Sequence, residues 1–212
     1  MKKTEKKKKL KRVILITVFT FAGIGFIYLV LLGVSELLLK DDNNSEQSGE
    51  ISFFTPDYSE NIYENENYMS KNRNIYYLQY GSGEPITEEN FDSMPPSARF
   101  FYEYFEGVKN GNYVNHSSFF TEKYLKNNTL SETFTMQKIY DIEVDLFEKR
   151  FEEEGNDRIT VETYIVEYKI MENNGTFRND VGSNTLKPLV YTLHIKGEKV
   201  LIDSISEKKT KS

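Results

Sequence analysis

The chain carries two histidines and no cysteine, so thiol chemistry is excluded and proton transfer near neutral pH falls to His116 and His194. His194 sits in LVYTLHI, where strand alternation groups it with Val190 and Thr192, opposite Leu189, Tyr191 and Leu193. If that face lined a cavity, His194 could serve as a general base. No acid partner can be placed beside it from the sequence, and a solvated strand histidine is the simpler reading. His116 falls in the turn NHSS and reads as a surface or capping side chain. Asp141, Glu143 and Asp145 place three carboxylates on one strand face, but a strand spreads them in steps of about 7 Å, which do not converge on an ion. A calcium loop would need glycine where Leu146 stands, so the run reads as a solvated acidic face. There is no phosphate-binding glycine loop, nucleophile elbow, H-E-x-x-H helix or Cys/His cluster. No metal, no cofactor and no enzymatic activity are therefore predicted.

The charge distribution bears on location and partners. A net charge of −6 conceals a basic start, Met1–Arg12 at +7, and a remainder at −13. Phosphate recognition needs clustered Lys/Arg, so an acidic remainder predicts no nucleic-acid partner. Behind the basic tail, Val13–Val34 reads VILITVFTFAGIGFIYLVLLGV without one charge. An apolar run of that length is enough for a membrane helix, which needs about 20 residues, and flanking lysines hold the amino terminus in the cytoplasm. The run is longer than a signal-peptide core and has no A-x-A cleavage pattern. The expectation is a single-pass cell-membrane protein with an extracellular carboxyl-terminal domain, held together without disulfides.

The expected organisation is a basic tail (1–12), an anchor helix (13–39), a flexible acidic Tyr/Asn-rich stalk (40–86), one domain (87–206) and a polar tail (207–212). The stalk mixes acidic, Asn and Tyr residues without a helical or strand period. Within it, Asn74–Tyr80 is dense in β-formers and could add a strand or dock on a partner, though a linker is the plainer reading. After Pro95-Pro96, with Ser97 as a cap, the residues Ala98, Phe101, Tyr102, Phe105 and Val108 make one helical stripe. Phe100 and Tyr104 fall off that stripe, which marks them as candidate interaction residues. Tyr113, Phe119, Phe120, Tyr124 and Leu125 predict a shorter second helix. Four strands come after it, near 140–146, 159–171, 189–195 and 200–205, joined by hairpins with an Asn174-Gly175 turn signal. The apolar set of the second strand changes phase between Val161 and Tyr164, which predicts a bulge in it. The fold class is thus α+β: an amino-terminal transmembrane helix plus one extracytoplasmic domain of two helices on a curved four-stranded antiparallel sheet.

The stretch FFYEYFEGVKNGNYVNHSSFFTEKYL, the bent strand DRITVETYIVEYKI and the closing pair LVYTLHIKGEKVLIDSI resemble the nuclear transport factor 2-like superfamily over roughly Ser97–Ser206. The resemblance implies a cone whose mouth can hold a small ligand, a catalytic Asp/His pair or nothing. The layout is also similar to that of membrane-tethered scaffold components of Gram-positive conjugation and type IV secretion machines. This likeness implies an interaction or scaffold domain in an envelope complex, with the lipid bilayer and envelope proteins as partners and self-association left open. The alternative is a ligand-binding or sensory domain with a cone pocket lined by Tyr164, Tyr168 and Tyr191. His194 would join them only if its strand slipped phase.

Overall fold

A single six-stranded sheet carries the fold. The computed structural model describes residues 51–154 and 157–208, within the compact unit Ile51–Ser212. Six strands run β1 Ile75–Gln79, β2 Ser82–Ile86, β3 Ile139–Glu154, β4 Asp157–Ile170, β5 Leu189–Lys196 and β6 Lys199–Glu207. They lie in the order β2-β1-β3-β4-β5-β6, antiparallel except for β1 against β3, which is parallel. The helices are α1 Glu66–Met69, α2 Pro96–Lys109 and α3 Glu122–Asn127.

The α+β class stands, but the four-stranded antiparallel sheet is corrected to a six-stranded mixed one. The two extra strands come from the segment that reads as a stalk. Tyr80 and Gly81 both hold positive φ, 55° and 78°, as a two-residue primed turn requires, and this turn folds β2 back on β1. β1 then turns Ile75 and Tyr77 into the core.

Upstream of β1, residues 51–74 are also folded onto the domain. Ile62 and Tyr68 are fully buried and cluster with Tyr140 and Met171. The Tyr68 hydroxyl donates to the Ile139 carbonyl at 2.9 Å, and Lys138 is ion-paired with both Glu60 and Glu172. The asparagines that make this stretch look unstructured are caps. Asn61 accepts from Tyr63 N (3.2 Å) and Asn65 from Tyr68 N (3.0 Å), each opening a short helical turn.

The transmembrane part of the expected fold rests on residues 13–39, which lie outside the described residues. Among the described residues no helix is long and apolar enough to cross a membrane. The longest, α2, has 14 residues; at about 1.5 Å per residue it falls well short of a hydrocarbon core of about 30 Å. The expected single-pass membrane localisation is corrected accordingly.

The core lies between α2 and one face of the sheet. Helix α2 buries Ala98, Phe101, Phe105 and Val108 as its spacing predicts, and also Phe100 and Tyr104. The reason is a second neighbour: residues 116–120 pack over the flank of α2, with the Phe119 ring 5.6 Å from Phe100 and 5.4 Å from Tyr104. Ser97 does not cap the helix, which starts after Pro95. It is buried beneath the Tyr164 hydroxyl, 2.8 Å away.

The predicted bulge is displaced to other strands. β4 keeps an unbroken register with β5, whereas β3 slips against β4 near Asp141 and again at Phe147, and β6 slips against β5 at Asp203. The apolar phase of β4 changes because both faces are covered where it begins: Ile159 and Val161 are buried on one side, Glu162 and Tyr164 on the other.

Candidate functional site

An aromatic pocket of about 340 Å³ lies where α2 and the loop between β4 and β5 meet the sheet. Helix α2 supplies Tyr104, the turn after it His116, β4 Tyr168, β5 Tyr191, and the loop between β4 and β5 supplies Phe177 and Arg178. Asn174-Gly175 does not make the predicted hairpin turn. It belongs to a long loop, 171–188, that folds over the pocket. Asn173 shapes that loop: fully buried, it donates to the carbonyls of Arg178 (3.0 Å) and Val181 (2.8 Å) and accepts from Gly175 N (3.0 Å).

Arg178 is the loop's contribution to the pocket. Its guanidinium is buried, lies 5.3 Å from the centroid of the Tyr168 ring, and donates to both oxygens of Asp180 at 2.9 and 2.7 Å. Lys187 bridges Asp180 to Glu207 on β6, tying the loop to the sheet edge. Burial opposes ionisation of Asp180, but Arg178 and Lys187 outweigh it and hold the carboxyl at about 2. Arg178 therefore brings a neutralised charge pair to the pocket wall.

The tyrosines remain protonated hydrogen-bonding groups. Burial raises the pKa values of Tyr104, Tyr168 and Tyr191 above the ordinary tyrosine value, Arg178 only partly opposing the rise at Tyr168. The Tyr168 hydroxyl is buried beside Arg178 and Tyr191, and by donor–acceptor geometry it has no hydrogen-bond partner among the described residues. His116 is no surface residue: it is buried among Tyr104, Phe120 and Phe134, with ring centroids 5.1–5.5 Å away. Burial pushes its imidazole down to about 4, so it is neutral at physiological pH. The pocket thus offers aromatic walls beside polar groups, among them the mutually neutralised Arg178 and Asp180, with no group poised to exchange a proton near neutrality.

Of the predicted pocket residues, Tyr168 and Tyr191 meet here; Tyr164 and His194 do not. Tyr164 lies deeper, donating to the buried Glu162 carboxylate at 2.6 Å and sitting 3.1 Å from the Tyr77 hydroxyl, with Lys149 paired to Glu162 at 2.8 Å. His194 keeps to the face opposite Tyr191, because β5 and β4 stay in register. The acid that the sequence could not place beside it is Asp203, with Oδ2 3.5 Å from His194 Nε2. Asp203 is already engaged by Thr121 Oγ1 (3.0 Å) and Lys123 Nζ (2.5 Å). It is built as an anchor for the start of α3, where Thr121 is the cap.

Phe100 and Tyr104, the expected interaction residues, are 7% and 2% exposed, so neither presents a surface to a partner. Arg178 and Phe177 are pocket residues that the sequence pattern does not name, whereas His116 is named there but as a surface side chain. The signal for the first two is the crowding of Asn, Gly and Asp around an isolated arginine in NNGTFRND, which marks a shaped loop rather than a plain turn.

No family model, curated protein or solved structure matches this chain.

Proposed function

We propose that the domain binds a small, uncharged molecule in the aromatic pocket. The observation that carries this is the Tyr168 hydroxyl, buried and unpaired within an aromatic wall. A buried polar group without a partner costs about 1–3 kcal/mol, and a ligand oxygen or nitrogen reaching it recovers that cost. At about 340 Å³ the pocket is at the small end of the usual range of roughly 300–1,000 Å³ for ligand sites. Charge selects the ligand class. Arg178 is neutralised by Asp180 and His116 is neutral, so an ionised ligand finds no counter-charge to offset its desolvation.

The resemblance to the nuclear transport factor 2-like superfamily belongs to this proposal, since the mouth of the cone is where its members hold ligands when they have one. The full chain screened by ligand-observed NMR against neutral aromatic and aliphatic fragments tests the reading. Hits that compete with one another and disappear with Tyr168→Phe support it. A library without a single competitive hit overturns it.

An interaction or scaffold role loses the surface expected for it, because Phe100 and Tyr104 are core residues.

A further inference from the structure

A second pocket, of about 300 Å³, lies on the other side of α2. Tyr102, Glu106 and Lys109 line it from the helix, on faces turned away from Tyr104, and Arg73, Ile75 and Ile86 line it from the sheet side. Arg73 precedes β1 and reaches over the Tyr68 ring, 5.8 Å from its centroid. Its Nε–H is buried and has no acceptor, and no carboxylate among the described residues pairs with its guanidinium. Lys109, itself buried, is ion-paired with Glu106 one helical turn back. Two cations and one carboxylate leave this pocket with one positive charge, in a chain whose net charge is −6.

We infer that this pocket is a binding site for a small monocarboxylate with an apolar body, held by the Arg73 fork. A guanidinium with a free Nε–H presents two parallel donors, the geometry that a carboxylate accepts at both oxygens. The residual single charge balances one negative charge, and Glu106 opposes a second, which disfavours a phosphate dianion. Ile75, Ile86 and the half-buried rings of Tyr63 and Tyr102 receive the apolar part. This site is independent of the aromatic pocket, which carries no unbalanced charge.

The test is an NMR titration of the full ¹⁵N-labelled chain, following the arginine Nε–H resonances, with benzoate as the probe. Benzamide, the same shape without the charge, is the control, and inorganic phosphate is the competing anion. The expected result is one Nε–H signal that moves saturably with benzoate, stays still with benzamide, and is lost in Arg73→Lys together with at least a tenfold drop in affinity. Equal shifts with benzoate and benzamide, a stronger response to phosphate, or unchanged affinity in Arg73→Lys would each overturn the assignment. The comparison of benzoate with benzamide needs no variant, so the proposal stays open to refutation even if Arg73→Lys does not fold.

Discussion

The Arg178 guanidinium lies over the Tyr168 ring while both oxygens of Asp180 accept its hydrogen bonds. The charge is thereby spent within the wall of the pocket, and the Tyr168 hydroxyl remains as the buried polar atom with nothing to bind. Tyr168→Phe removes that atom and keeps the ring under Arg178. The variant without ligand should be as stable as the native chain or more so, by up to about 1 kcal/mol in urea denaturation. A loss above about 2 kcal/mol would show that the hydroxyl is bonded within the protein.

Asn173 holds the loop that carries Arg178. Replacing it with alanine strands the carbonyls of Arg178 and Val181 in a buried position. Asn173→Ala should cost about 2–4 kcal/mol. Ligand binding should fall further than stability predicts, because the loop no longer presents Arg178. Native stability in urea for this variant would contradict the role given to Asn173.

His116 gives the fold a pH dependence of known sign. Its imidazole titrates near 6.5 when unfolded and, pushed down by burial, near 4 when folded. Between those values the unfolded chain holds more protons, so the contribution is complete above about pH 6.5 and is lost as pH falls toward 4. The loss is on the order of 3 kcal/mol. Asp180 acts in the same direction but only below its ordinary carboxyl range, down to about 2. Urea midpoints measured from pH 7 to pH 4 should fall less steeply in His116→Phe than in the native chain. Identical slopes would show that His116 does not carry this dependence.

Phe100 falls off the helical stripe and yet is packed against Phe101 and Phe119 at 5.6 Å each. Phe100→Ala should therefore cost about 3–5 kcal/mol of stability, as a core aromatic does. A midpoint within about 0.5 kcal/mol of native would mean that its ring is exposed in solution.

The last four strands are legible in the sequence because hydrophobic alternation, a local signal, lines one face of each. The first strand shows only as the β-formers of Asn74–Tyr80, where a linker is the plainer reading, and the second is hidden by composition. Tyr and Asn read as linker residues, yet Asn61 and Asn65 are caps and Tyr68 is a core side chain, roles that only a distant partner such as the Ile139 carbonyl reveals. The parallel contact of β1 with β3 joins residues far apart in sequence and leaves no periodic trace. The width of the buried face of α2 escapes for a related reason: one stripe predicts one neighbour, and α2 has two. At the site, aromatic spacing names Tyr168 and Tyr191 but not what faces them. Burial of His116 and the pairing of Arg178 with Asp180 depend on how loop 171–188 folds, which asparagine side chains decide rather than hydrophobic pattern.

The most direct measurement is isothermal titration of the best neutral fragment into the native chain and into Tyr168→Phe at pH 7. A single site in the native chain and at least tenfold weaker binding in the variant, about 1.4 kcal/mol, are predicted, with the variant fully folded. Equal affinity in both proteins would contradict this, and would place the ligand away from the hydroxyl on which the proposed function rests.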